Sequence, residues 1–161
     1  METRPPPDVY GFTEFCDDVR QEVGGKFSYI GVYGGNMFIH GPFPITLGKF
    51  CLAITLMQLR EGFEPNIGLK IFLPGDSEDA PSIDAEFQET KEGAIAEQTA
   101  AQAAGLPKPD FSFVAMNTKL IFSPFTINQP GDMRVRAVRR GELIRLGGLR
   151  IIAAPVEQPT P

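Results

Sequence analysis

The chain has 161 residues, of which 42% are hydrophobic and 22% charged, with a formal net charge of −5. That length gives one domain as the prior and a core large enough to need no staples. The apolar content excludes wholesale disorder, and the negative balance excludes a global field that draws in nucleic acid or an anionic membrane.

Met1 to Asp8 is Pro-rich and reads as a disordered tail, as does the run from Pro155 to Pro161. The tail has no apolar stretch of signal-peptide type, and no run in the chain approaches a membrane span. A cytoplasmic protein with no membrane contact is the expectation. One domain is expected over residues 9–154. Fifteen prolines, seventeen glycines and thirteen phenylalanines suit short strands joined by turns better than a helical bundle.

The first strand is expected over Phe12 to Val19 and the second over Lys26 to Tyr33, with Gly24-Gly25 as the hairpin turn. Phe27, Tyr29 and Tyr33 share one face of the second strand, with Ile30 and Val32 on the other, which predicts cover on both sides. Gly34-Gly35-Asn36 reads as a turn before a short strand at Met37 to Ile39. Gly41-Pro42-Phe43-Pro44 reads as an extended loop, because a residue before proline is pushed out of the helical region. Leu47 to Leu59 is the longest apolar run. Ile67, Leu69, Ile71 and Leu73 alternate in phase with Lys70 out of phase, and Pro74-Gly75-Asp76 then turns the chain.

Ser82 to Thr90 follows as a strand with Ile83, Ala85 and Phe87 in phase. Lys91 to Ala104 is rich in Ala and Gln, a helical composition without an apolar stripe, and reads as an insertion. Phe111 to Phe122 resumes the strands, with a bulge or bend expected at Asn117-Thr118-Lys119. Pro130-Gly131-Asp132 opens a tight turn, after which Met133, Val135 and Ala137 alternate with Arg134 and Arg136. Leu143 to Ile152 supplies the last strand. Eight or nine strands at this spacing predict an all-β antiparallel two-sheet sandwich of immunoglobulin-like type, with a closed barrel as the nearest competitor.

These patterns carry a resemblance. Phe15-Cys16-Asp17-Asp18 leads into Lys26-Phe27-Ser28-Tyr29-Ile30-Gly31-Val32-Tyr33; a loop with Pro42 and Pro44 and the apolar run Phe50 to Leu59 follow; Pro130-Gly131-Asp132-Met133-Arg134-Val135 closes the set. In this the chain resembles a family of small bacterial proteins with immunoglobulin-like sandwiches. The resemblance covers most of Gly11 to Ile152. It implies a fold and supplies no catalytic residue. Such sandwiches often place a Tyr at the corner where this chain has Met133.

The residues that carry chemistry are few. His40 is the only histidine, and no Gly-x-Ser-x-Gly elbow accompanies it, so it reads as a loop residue. Asp17 and Asp18, with Glu22 nearby, form a compact carboxylate group. Adjacent strand residues point to opposite faces, so the pair reads as edge protection rather than a metal site. Asp76-Ser77-Glu78-Asp79 lacks the spacing, the central Gly and the terminal Glu of a calcium loop. Gly24-Gly25-Lys26 and Gly34-Gly35-Asn36 lack the P-loop pattern. Two cysteines and one histidine do not make a four-ligand zinc site. Cys16 and Cys51 read as small buried hydrophobes, with a disulfide across facing sheets as the alternative. No cofactor and no metal are expected.

Charge is unevenly placed. Asp76 to Glu97 holds eight acids and one Lys, whereas Arg134 to Arg150 holds six Arg and one Glu. Arg134 and Arg136 share a face, and Arg145 is expected opposite them on the next strand. Three guanidiniums so placed form a fork for carboxylate or phosphate. The competing reading is a solvated face, or pairing with Asp84, Glu86 or Glu89. No aromatic residue interleaves the arginines, which argues against nucleic acid. The leading expectation is a non-enzymatic binding or structural module for a protein partner, with Phe43, Phe63 or Phe125 as interface aromatics. The alternatives are a small-ligand or anion sensor, or an enzyme, using the arginine strip or a pocket of His40, Asp17 or Asp18 and Arg136, and a phage-type accessory or assembly component.

Overall fold

The computed structural model describes residues 7–88, 103–105, 107 and 113–155. Among them are twelve strands: β1 Val9–Cys16, β2 Asp18–Gln21, β3 Phe27–Ile30, β4 Asn36–Ile39, β5 Ile45–Leu47, β6 Phe50–Leu59, β7 Asn66–Phe72, β8 Ile83–Gln88, β9 Phe113–Phe122, β10 Phe125–Ile127, β11 Gly131–Arg139 and β12 Glu142–Ala153. They form a three-stranded sheet, β1-β6-β9, a five-stranded sheet, β4-β12-β11-β7-β8, and two ribbons, β2-β3 and β5-β10. Every pairing is antiparallel except β4 beside β12, which is parallel. The chain is all-β and sandwich-like, with more sheets than the two expected. The Ala-rich run from Lys91 lies outside the described residues, apart from its last two positions.

Alternation explains the core. Leu52, Ile54 and Leu56 of β6 and Met116 of β9 pack in one buried cluster with Ile67, Leu69 and Ile71 of β7, Met133, Val135 and Ala137 of β11, and Leu146, Leu149 and Ile151 of β12. Each fully buried aliphatic side chain of this kind contributes about 1.5–3 kcal/mol. Met133 is therefore a core residue, and no corner tyrosine is needed at that position. Phe50 anchors one end of the cluster, stacked on Phe125 with ring centroids 4.9 Å apart. Phe125 is buried, and Phe43 and Phe63 are half-buried against the same cluster. Of the three aromatics expected at an interface, Phe125 thus belongs to the core, and Phe43 and Phe63 pack partly into its edge.

Three expectations give way for local reasons. The first run breaks at Asp17, so β1 stays in the three-stranded sheet and β2 leaves it as one arm of a hairpin with β3. Gly31, with φ 68°, permits this exit, because a Cβ there would lie 2.1 Å from the Asp17 carboxylate. The strand expected to be covered on both sides has Phe27, Ile30 and Val32 substantially exposed, because it belongs to this two-stranded ribbon. Gly48-Lys49 divides the long apolar run, sending β5 to pair with β10 and β6 into the three-stranded sheet.

The bulge expected at Asn117 to Lys119 is absent, since β6 and β9 stay in unbroken register from Phe50↔Phe122 to Leu59↔Phe113. A register shift lies instead in β12. Val135 pairs with Gly147 and Arg136 with Arg145, so β12 contributes one residue more than β11. Gly147 adopts φ 116° there, and a Cβ on Gly148 would lie 2.8 Å from the Met133 carbonyl oxygen. Two glycines in sequence meet both demands.

Candidate binding surface

The arginine strip lies on the outer face of the five-stranded sheet. Met133, Val135 and Ala137 point into the core, so Arg134, Arg136 and Val138 point out. On β7, Ile67, Leu69 and Ile71 are inward, which leaves Gly68, Lys70 and Phe72 on the outer side. Cross-strand register then defines rows on this face. One row is Arg145–Arg136–Lys70–Asp84, running from β12 through β11 and β7 to β8. The next is Leu143–Val138–Gly68–Glu86. On the other side lies Gly148–Arg134–Phe72.

The three predicted arginines thus share one face but do different things. Arg134 is held on three sides. Its guanidinium pairs with Glu78, donates to the Asp76 carbonyl at 3.1 Å, and lies 4.7 Å from the Phe72 ring centroid. It caps Phe72, which is 2% exposed although it points outward. Arg134 is a structural residue that seals a ring and pins the turn after β7. The anchoring acid comes from that turn rather than from β8. Asp76 itself fixes the turn, accepting at 2.8 Å from the backbone N–H groups of Leu73 and Ser82.

Other cations of the strip are likewise occupied. Arg150 makes a two-pronged pair with Asp132, at 2.8 and 3.1 Å. Lys70 bonds Asp84 at 2.8 Å. Arg139 donates to the buried Gln58 side chain at 2.9 Å and to the Gly62 carbonyl at 2.6 Å, and Arg140 reaches the same carbonyl and Glu64.

Arg136 and Arg145 are the exception. They stand directly opposite each other across β11 and β12, and among the described residues neither meets an acid. Among the described residues Arg136 donates only to the Val135 carbonyl, at 3.0 Å. Its guanidinium is held below the usual arginine range by burial, with the like charges of Arg145 and Arg134 adding to the effect. Two cations directly opposite on one sheet face oppose folding unless something offsets them. Lys70, the third cation of the row, was legible as an out-of-phase residue. Leu143 was not, since an apolar strand residue reads as core; it is 62% exposed.

The carboxylates lie elsewhere. Asp17 accepts from the Tyr33 hydroxyl at 2.5 Å; burial and this bond push the Tyr33 phenol up. Asp18 pairs with Lys49 and with Arg20, bonds that hold its carboxyl below the usual range. Both sit where β1 gives way to the β2-β3 hairpin. His40 is exposed just beyond β4. No hydrogen bond or ion pair among the described residues joins His40, Asp17 or Asp18 to Arg136. No group of three His, Cys, Asp or Glu among the described residues is placed to hold a metal ion, and no helix there is long and apolar enough to cross a membrane.

Cys16 and Cys51 are free thiols and direct register partners across β1 and β6, both wholly buried. They belong to one sheet, not to two facing ones. Burial, reinforced by the neighbouring Cys51, pushes the Cys16 thiol up to about 11. Unactivated thiols of this kind make poor nucleophiles.

Comparison of the chain with models of protein families, with curated proteins and with solved structures finds no match.

Proposed function

We propose that this protein is a non-enzymatic binding module that engages an anionic protein partner through the outer face of its five-stranded sheet. The observation that carries this reading is the Arg136–Arg145 pair. Among the described residues, Arg134, Arg140, Arg150 and Lys70 each meet an acid and Arg139 is turned to Gln58 and the Gly62 carbonyl, whereas neither Arg136 nor Arg145 meets an acid. An anion seated between two guanidiniums forms charge-assisted hydrogen bonds and relieves their repulsion. A folded chain that keeps two opposed arginines on a sheet face bears a cost that such a ligand removes.

The sandwich is read as immunoglobulin-like, with support from antiparallel pairing around one shared core. A fold of this kind hosts many functions, so the function is read from the site. The setting of the pair on a sheet face, with no hydrogen bond or ion pair to His40, Asp17 or Asp18 among the described residues, supports recognition over catalysis.

The test uses the full chain as bait in native lysate, beside a doubly charge-reversed chain carrying Arg136→Glu and Arg145→Glu. Circular dichroism and thermal melting check that both are folded. Partners retained by the unaltered chain are expected to fall at least about tenfold on the reversed one, since like charge brought opposite an interface charge costs several kcal/mol. An unchanged set of retained proteins overturns the proposal.

A further inference from the structure

Resting on that reading, we infer that the group bound at Arg136 and Arg145 is one carboxylate of an extended protein segment, whose apolar side chain two positions away covers Leu143 and Val138.

Spacing points to this ligand. Arg136 and Val138 are two apart on β11, as are Arg145 and Leu143 on β12, and the pairs are in register. The face thus presents a cationic pair and, about 6.7 Å along the strands, an apolar pair. Side chains two apart on an extended ligand repeat at the same distance. A segment lying along the seam of β11 and β12 places an acid on one pair and an apolar residue on the other. Leu143, 62% exposed, is the most exposed leucine among the described residues and sits beside the unpaired arginines.

The boundary of positive charge points the same way. Along the row, Lys70 is already bonded to Asp84, and Glu86 is exposed in the next row. Toward the start of β11 stands Asp132, paired with Arg150. A polyanion laid across the face meets these three carboxylates, whereas a single carboxylate between Arg136 and Arg145 meets none. Phe72, the aromatic residue nearest the pair on this face, is sealed under Arg134 and offers no ring for a base to stack on. Charge complementarity therefore selects one acidic side chain in a protein segment over nucleic acid or another polyanion.

Access to the pair is open. Arg145 and Leu143 are both exposed, and Gly148, opposite Arg134 in the adjoining row, adds no side chain beside them. A ligand backbone can approach there.

The test is an array of peptides of about ten residues, long enough to span the seam. Each carries Asp or Glu two positions from Leu, Ile or Val on a Ser/Thr background. Matched copies carry Asn or Gln, or phosphoserine, in place of the acid, and heparin serves as the polyanion. The full chain is compared with Arg136→Gln/Arg145→Gln and with Leu143→Ser, all confirmed folded. Acidic peptides are expected to bind at least about tenfold more tightly than their amide copies, a preference that the double Gln variant abolishes. Leu143→Ser is expected to weaken them about three- to tenfold. Equal binding of acid and amide peptides overturns the inference, as does tighter arginine-dependent binding of heparin or phosphoserine. If lysate capture still depends on the arginine pair in those cases, the binding surface stands and only the ligand class falls. If neither capture nor any probe responds to the double Gln variant, both fall.

Discussion

On the five-stranded sheet, the outward residues Arg136 and Lys70 carry charge and keep partial exposure, whereas on the three-stranded sheet the outward residues Cys51 and Ala53 are as buried as the core. Both sheets follow the same period of two. The difference is a third layer. The β2-β3 hairpin leaves at Asp17 and folds back over the outer face of β6: the Lys119 ammonium of β9 lies 3.7 Å from the Phe27 ring centroid of β3, and the Cys51 thiol donates to the Asp17 carbonyl at 3.8 Å. Beyond the hairpin the same face has Tyr10 and Phe12 exposed, Tyr10 edge-on to Phe113 at 5.4 Å. Alternation sorts residues onto two sides of a sheet; a separate contact decides whether a side is wet.

The largest effect is expected from a charge placed at an outward position of the three-stranded sheet. Ala53→Lys puts an ammonium under the hairpin and is expected to cost about 3 kcal/mol or more in urea unfolding, through overpacking and an unpaired buried charge. A loss under 1 kcal/mol means that the hairpin does not cover β6. Next in size is the alkaline response. The unfolded Cys16 thiol ionises at its ordinary value of 9.0, and the folded one at about 11. The unfolded state therefore releases the proton first as pH rises. Stability is whole below pH 9 and falls toward pH 11, by up to about 2–3 kcal/mol. Denaturation at stepped pH checks this, and Cys16→Ala is expected to flatten the profile.

Arg134→Ala is expected to cost about 1–2 kcal/mol by uncovering Phe72 and freeing the turn that holds Glu78. Arg145→Ala, one row away on the same face, is expected to stay within about 0.5 kcal/mol of the unaltered chain. Equal losses for the two arginines would erase the distinction between a sealing arginine and a presented one.

Much of the frame was legible because it is local. Ile67, Leu69 and Ile71, and then Met133, Val135 and Ala137, declare their face by spacing alone, and Gly24-Gly25 marks its hairpin. The shared face of Arg134, Arg136 and Arg145 followed from the same reasoning. What was hidden depends on contacts distant in sequence. Nothing near Arg134 announces Glu78, which is brought in by the turn after β7. Nothing near β12 announces the parallel strand β4, whose Met37 pairs with Ile151. The burial of Cys51 and Ala53 depends on a hairpin whose own sequence, read locally, looked like an ordinary strand of the sandwich.

The glycine pair at positions 147 and 148 also governs the parity of the last strand. Arg145 and Arg150 are an odd number of residues apart, as are Leu146 and Leu149, so an uninterrupted strand sends one member of each pair to the wrong side. The extra residue resets the count, and β12 works as two half-strands of opposite phase. It follows that this stretch is governed by length more than by identity. Removing one glycine moves Leu149 and Ile151 into water and Arg150 into the core, and it slides β4 out of step with its partner.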